Sequence, residues 1–97
     1  QTMVSALEIG EIQIKTNGEW KSAFISEGFM EVRRDEVVIF SQCCQWPDEI
    51  DGARAEESRI RALDRIHLAE NIKEHRHNEI SLARAMARLK VKNNYKP

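Results

Sequence analysis

The chain has 97 residues, which suffices for one compact domain, or for a smaller one with an attached arm, but not for two full domains. Its 15 Lys and Arg and 16 Asp and Glu leave a net charge of -1, so no overall field attracts it to nucleic acid or to an anionic membrane. The charged share of 32% predicts amphipathic helices with solvated faces, and no apolar run approaches the roughly 20 residues of a membrane span.

The first part of the chain alternates apolar and polar residues with the period of a β-strand, as in residues 7–9 and 12–15. Asn17-Gly18 follows, and this pair predicts a hairpin turn because both residues tolerate positive φ. Further strands are predicted over residues 20–25, 29–32 and 37–40. This order predicts an antiparallel meander, and the continuous apolar run 37–40 predicts a strand that is buried on both faces or lies near the middle of a sandwich.

Strand periodicity gives way to helical periodicity between Cys44 and Pro47. We therefore predict a β-domain over residues 1–45 and a helical hairpin over residues 46–97. Pro47 is acceptable at the start of a helix, where its missing N–H would be unpaired. Alanines recur every seven residues along the first helix, which allows a second helix to approach closely. They are Ala55, Ala62 and Ala69.

The polar segment 70–78 interrupts the helical pattern and predicts the turn of the hairpin. A second helix is predicted over residues 79–91. Its predicted buried residues are Ile80, Ala83, Met86, Ala87 and Leu89. The fold class is therefore α+β, with an antiparallel β-sandwich followed by an antiparallel pair of helices.

Three motifs resemble the epsilon subunit family of bacterial F-type ATP synthases. They are Gly-Phe-Met-Glu-Val at residues 28–32, Ile-Asp-Gly-Ala-Arg-Ala at 50–55 and Arg-Ala-Met-Ala-Arg-Leu at 84–89. The resemblance covers residues 3–91 and takes its strength from the order of the motifs, since each alone is weak. It also implies that roughly the first 40 residues of the family's two-layered sandwich are absent here.

The resemblance implies a non-catalytic subunit of the central stalk that couples the γ shaft to the c-ring. Its hairpin would lie down on the sandwich or extend to the β and α subunits and inhibit ATP hydrolysis. The protein would lie on the cytoplasmic face of the bacterial membrane and touch the membrane only through the complex. No cofactor is required, and ATP would act as a regulatory ligand.

The positions that match the family's nucleotide contacts are Asp51, Arg54, Arg61, Arg84 and Arg88. Guanidinium groups bind phosphate oxygens in bidentate fashion, which suits this role. Two residues depart from the family pattern and bear on ATP affinity. Gln45 stands where ATP-binding members carry glutamate, and Gly52 costs about 1 kcal/mol relative to alanine inside a helix.

Simpler interpretations of these residues stay open. Asp51 and Arg54 have the spacing of an i,i+3 pair on a solvated helix, and Arg84 and Arg88 that of a solvated stripe. From residue 76 onward, however, the sequence contains six Lys and Arg residues but only one Asp or Glu residue. This excess indicates an anionic partner, and the family resemblance implies that Arg84, Arg88 and Lys90 meet an acidic segment of the catalytic β subunit.

Other functions have weaker support. His67, His75 and His77 lack carboxylate or thiolate ligands at fixed spacing, so no metal site is predicted. The adjacent Cys43 and Cys44 predict reduced thiols. No set of catalytic residues is assembled, and the basic C-terminal stretch has too few aromatic residues to predict nucleic-acid binding. The alternative function is a free-standing helical-hairpin module that binds proteins.

Overall fold

The computed structural model describes residues 2–95. The elements are β1 Met3–Leu7, β2 Gly10–Thr16, β3 Glu19–Ile25, β4 Gly28–Val32, β5 Val37–Ser41, β6 Cys44–Gln45, α1 Gly52–Leu68 and α2 Ile72–Asn94. A 3₁₀ turn over Pro47–Glu49 lies between β6 and α1. The predicted α+β class, with antiparallel strands before a two-helix region, is confirmed.

The hairpin of β2 and β3 forms where the sequence predicts it. Asn17 and Gly18 adopt positive φ angles of 52° and 81° at the turn. The two strands pair without a break from Gly10 opposite Ile25 to Thr16 opposite Glu19. This turn geometry suits the right-handed twist of the strands, so the local sequence alone determines the register.

The strands form two antiparallel sheets, so the predicted single meander is wrong. One sheet has the order β1-β4-β5 and the other β2-β3-β6. The chain leaves the second sheet at Ser26 and returns at Cys43, and these two points bond to each other. The Ser26 amide donates to the Cys43 carbonyl at 2.9 Å, and the Cys43 amide donates to Ser26 Oγ at 2.8 Å. These bonds join the two points where the chain passes between the sheets.

The sheet formed by β1, β4 and β5 is less buried than the sequence predicts. β5 is an edge strand, and its Val37 and Phe40 are 56% and 43% exposed, so the prediction of a strand buried on both faces is wrong. Gly28 is required where β4 meets β5, because a Cβ there would lie 1.9 Å from the Phe40 carbonyl oxygen. Phe29 stacks on Phe40 with ring centroids 4.8 Å apart.

The described core lies between the β2-β3-β6 sheet and α2. Phe24 is fully buried and packs with Ile50, which follows the 3₁₀ turn, and with Val91 of α2. Ala23 and Ile25 are buried on either side of Phe24 in β3. The helical hairpin is therefore docked on the β-domain through α2.

The helices pack through small residues. Ala55 and Ala62 of α1 and Ala85 of α2 are buried, as the seven-residue repeat predicts for α1. The predicted buried set of α2 is largely wrong, since Ile80 and Met86 are 38% and 55% exposed. The buried residues of α2 are instead Asn78, Ala85 and Val91. Within residues 2–95, neither helix combines the length and apolar character that a membrane crossing requires.

The turn between the helices is shorter than predicted. α1 ends at Leu68 and α2 begins at Ile72, so most of the polar segment 70–78 is helical. Asn71 caps α2 by accepting the Glu74 amide at 2.8 Å. Most of this first part of α2 is exposed, which explains its polar composition.

The N-terminus of α1 is capped by Asp51, whose carboxylate accepts the Arg54 amide at 3.1 Å. Asp51→Ala is expected to lower the free energy of unfolding by about 1 kcal/mol, because an amide at the helix start loses its partner. Urea denaturation followed by circular dichroism measures this change. Asp64→Ala is the control on the exposed part of the same helix and should change stability by less than about 0.5 kcal/mol. Equal losses in both variants would contradict a capping role.

Candidate functional site

Three cations of α2, spaced four residues apart, contact the β-domain and its linker. They are Arg84, Arg88 and Lys92, and we call them the cationic ladder. Side chains at i, i+4 and i+8 lie along one helix face, so their spacing aligns all three toward the same surface. The sequence analysis identified the first two but missed Lys92, although the four-residue spacing was visible.

Arg84 forms the first step of the ladder. Its Nη2 makes an ion pair with the Glu27 carboxylate and also contacts Gln42 Oε1 at 3.4 Å. Its Nε is buried without a hydrogen-bond partner. Both ion-pair side chains are about one-third exposed, so this pair contributes about 1 kcal/mol at most.

Arg88 forms the second step of the ladder. Its Nε donates to Gln45 Oε1 at 2.8 Å, and its Nη2 lies 3.6 Å from Cys43 Sγ. The guanidinium carbon lies 4.4 Å from the centroid of the Phe24 ring, which is a cation–π geometry. Arg88 therefore joins α2 both to β6 and to the core residue of β3.

Lys92 forms the last step. Its Nζ donates to the Pro47 carbonyl at 3.0 Å, at the point where β6 passes into the 3₁₀ turn. Lys90 lies between the last two steps in sequence but is exposed, because it points to another side of the helix. It is therefore free of the docking contacts made by its neighbours.

The other predicted nucleotide contacts lie at the N-terminal cap of α1 and along that helix, and they are not joined to the ladder. Asp51 is engaged as the helix cap, Arg54 is exposed, and Arg61 pairs with Glu57 at 3.0 Å. Two cavities lie elsewhere, one between β3 and the end of α2 and one beside β4 and β5, and their walls contain none of the five predicted residues. In this docked arrangement the five residues form two groups.

The cysteines and histidines occupy ordinary positions. Cys43 and Cys44 are free thiols, and burial is the main cause that raises the pKa of Cys44. His75 Nδ1 lies 2.6 Å from Glu79 Oε1 one turn along α2. Among residues 2–95, no three His, Cys, Asp or Glu side chains are grouped as metal ligands would be.

Two antiparallel sheets followed by a docked helical hairpin define a class of small β-domain proteins with a helical arm. The β-sandwich domain of the ATP synthase Delta/Epsilon chain matches residues 1–47, and the long alpha-helix domain of the same chain matches residues 48–93. The chain belongs to this ATP synthase Delta/Epsilon family. The expected absence of the family's first sandwich residues is not borne out, because the sandwich match includes residue 1.

Similar proteins carry the name ATP synthase epsilon chain. The protein of Caldanaerobacter subterraneus subsp. tengcongensis is 47% identical over 88 residues, which cover 91% of this chain and 64% of that protein. The protein of Ruminiclostridium cellulolyticum is 38% identical over 90 residues, 93% of this chain and 67% of its own length. This chain thus spans about two thirds of the length of these relatives.

A solved structure shares the fold. It is a cryo-EM structure of the Euglena gracilis mitochondrial ATP synthase, comprising OSCP, F1 and the c-ring in rotational state 1. One of its chains superposes with a TM-score of 0.73 at 20% identity, over 90% of this chain and 55% of that one. The arrangement of strands and helices is therefore one that an assembled ATP synthase contains.

Proposed function

We propose that this chain acts as an epsilon-type subunit of a rotary F-type ATP synthase, a non-catalytic part of the central stalk. It joins the γ shaft to the ring of c subunits and restrains ATP hydrolysis through its hairpin, which meets the β and α subunits. The family match over both halves of the chain is the observation that carries this proposal. A free-standing hairpin module is not favoured, because such a module does not account for the match over the β-domain.

The cationic ladder supports a two-state role for the hairpin. When α2 is docked, Arg84 and Arg88 are occupied by Glu27, Gln45 and Phe24. When the hairpin extends, the same guanidinium groups become available, together with Lys90, to an acidic segment of the β subunit. The docked and extended arrangements therefore compete for one set of cations, so a partner that prefers one arrangement shifts the balance.

The location follows from the assembly. The chain is a peripheral component at the cytoplasmic face of a bacterial cell membrane and reaches that membrane only through its partner subunits. No nucleic acid takes part.

Co-expression with a γ subunit of a related bacterial synthase tests the proposed partner. The tagged chain is expected to co-purify with γ in a defined ratio, whereas an unrelated adaptor would leave γ behind. Failure of the full chain to retain γ at low and moderate salt would contradict the proposed subunit role.

We also propose ATP as a regulatory ligand, with Asp51, Arg54, Arg61, Arg84 and Arg88 as its contacts. In the docked arrangement Arg84 contacts Glu27 through Nη2 and Arg88 contacts Gln45 through Nε, so ATP binds the guanidinium N–H groups that these contacts leave unused. Each guanidinium has five N–H donors, so one protein contact leaves donors for phosphate oxygens. No cofactor is needed for the fold or for the proposed function.

Gln45→Glu is expected to raise the affinity for MgATP by up to about tenfold, because a carboxylate opposite Arg88 favours the docked arrangement that binds the nucleotide. Isothermal titration calorimetry of the unmodified chain and the variant measures the change. Gln13→Glu on the exposed part of β2 makes the same chemical change away from the ladder and should leave the affinity unchanged. Absence of a binding heat in every variant would contradict ATP as a ligand.

A further inference from the structure

The two sheets are joined at a buried polar junction formed by residues 26–27 and 41–43, which we call the sheet junction. Ser26 is only 1% exposed, and its Oγ accepts the Cys43 amide at 2.8 Å. The Ser41 hydroxyl lies 3.0 Å from the Ser26 carbonyl oxygen and 2.8 Å from the Cys43 carbonyl oxygen. A buried network in which polar groups bond to one another resists distortion. Movement of one crossing segment is therefore passed on to the other.

The sheet junction continues directly into one end of the β4-β5 pair, which we call the junction end. Glu27 precedes Gly28, Gln42 follows Ser41, and Gly28 lies opposite Ser41 in the strand register. Glu27 and Gln42 therefore lie just beyond the last residue pair of the two strands. The backbones approach closely here, because a Cβ added to Gly28 would lie 2.9 Å from Ser41 Cα. A change in the separation of Glu27 and Gln42 therefore changes the pairing of this end.

Arg84 of α2 bridges the two residues that flank the junction end. Its Nη2 makes the ion pair with Glu27 and lies 3.4 Å from Gln42 Oε1, so one guanidinium nitrogen contacts the end of both strands. The other two steps of the cationic ladder form their hydrogen bonds with residues 43–47 instead. The main contacts of α2 with the strands are to β2 and β3, which belong to the other sheet. Arg84 is therefore the step of the ladder that connects the hairpin to the ends of β4 and β5.

We infer that docking of α2 and pairing of the junction end stabilise each other through Arg84. When α2 is docked, Arg84 holds Glu27 and Gln42 beside each other and so favours the last pair of β4 and β5. When α2 leaves, these side chains lose their shared cation, and the junction end opens more often. The state of the hairpin is thereby transmitted to the β1-β4-β5 sheet. Because such coupling is reciprocal, a change at the junction end also shifts the hairpin.

This inference rests on the proposed two-state hairpin, but residue-resolved amide hydrogen exchange of the full chain tests it without any partner subunit. Arg84→Leu removes the bridging cation and keeps an apolar stem. It is expected to accelerate exchange at residues 28–29 and 40–41 by about two- to fivefold and to leave residues 32 and 37, at the other end of the strand pair, unchanged. Arg76→Leu makes the same chemical change at an exposed position of α2 and should alter neither end.

Glu27→Gln weakens the same bridge from the β-domain and should also accelerate exchange at the junction end. This second variant keeps the test informative if Arg84→Leu alters the packing of the helices. Unchanged exchange at residues 28–29 and 40–41 in both variants would overturn the inference. Equal acceleration at the two ends of the strand pair would also overturn it, since that result would indicate a general loss of stability.

The reverse direction of the coupling is tested by Phe40→Ala, which removes the stacking with Phe29 at the junction end. Exchange of residues 84–88 in α2 is expected to accelerate, and by less in an Arg84→Leu background than in an Arg76→Leu background. Equal acceleration in the two backgrounds would show that Arg84 does not carry the coupling. A chain that retained γ but lacked this coupling would overturn the inference alone, whereas coupling in a chain that failed to retain γ would contradict only the proposed function.

Discussion

Combining Arg84→Glu with Arg88→Glu is expected to relieve the restraint that this chain places on ATP hydrolysis in a reconstituted synthase by several-fold. In the proposed extended arrangement these residues meet an acidic segment of the β subunit, and reversal replaces attraction with like-charge repulsion. The same change also removes the docking contacts with Glu27 and Gln45. The hairpin is then released from the β-domain but cannot engage its target.

Glu27→Gln separates these two effects, because it weakens docking and leaves the cations intact. Loss of about 1 kcal/mol from the Arg84 pair shifts the ratio of docked to extended hairpin by about fivefold toward extension. The variant is therefore expected to restrain hydrolysis more strongly than the unmodified chain. If the double arginine variant hydrolyses ATP faster than the unmodified complex and Glu27→Gln hydrolyses it more slowly, the cations act in both the docked and the extended arrangement of the hairpin.

Steady-state ATP hydrolysis by the complex, reconstituted with saturating amounts of each variant, measures these effects. Lys73→Glu with Arg76→Glu is the matched control, since it makes the same change in net charge at exposed positions of α2 away from the ladder. If that control relieved hydrolysis as fully as the ladder variant, net charge rather than position would be responsible. Unchanged hydrolysis in all three variants would contradict the inhibitory role.

The local elements of the fold were largely predictable from the sequence. Asn17 and Gly18 determine their turn through backbone preference, and Asp51 has the residue type expected at a helix cap. The spacing of Ala55 and Ala62 predicted the close face of α1, which both residues occupy. Each of these signals is contained within a few neighbouring residues and needs no knowledge of the rest of the chain.

The pairing of distant segments could not be predicted in the same way. In the structure Phe29 lies opposite Phe40 in the pair of β4 and β5, and the other edge of β4 pairs with β1. The pattern of apolar and polar residues within a strand shows which residues share a face, but it does not specify that β4 pairs with β1 instead of β3. The ladder has the same limit. The sequence identified Arg84 and Arg88 as cations on one face, but Glu27, the ion-pair partner of Arg84, lies 57 residues away along the chain. Only the fold brings the two together.

Phe24→Ala is expected to have the largest effect on stability, lowering the free energy of unfolding by about 3–5 kcal/mol. Phe24 is fully buried, and its ring contacts Ile50 and Val91 while the Arg88 guanidinium lies over its face. Alanine would leave a cavity at the junction of the β-domain, the linker and α2. Since small domains unfold at a cost of about 5–15 kcal/mol, this loss would leave α2 weakly docked.

Urea denaturation followed by circular dichroism measures the loss, and two further variants assign its cause. Phe24→Leu keeps most of the buried apolar volume but removes the ring beneath Arg88, so about 1–2 kcal/mol should be lost. Phe29→Ala truncates the same residue type at a position that is 44% exposed, and we expect it to cost about 1 kcal/mol. Because α2 reaches the core through Val91, hydrogen exchange in α2 should also accelerate more in Phe24→Ala than in Phe29→Ala. Similar exchange in both variants would mean that the hairpin is held by the cationic ladder alone, without support from the core.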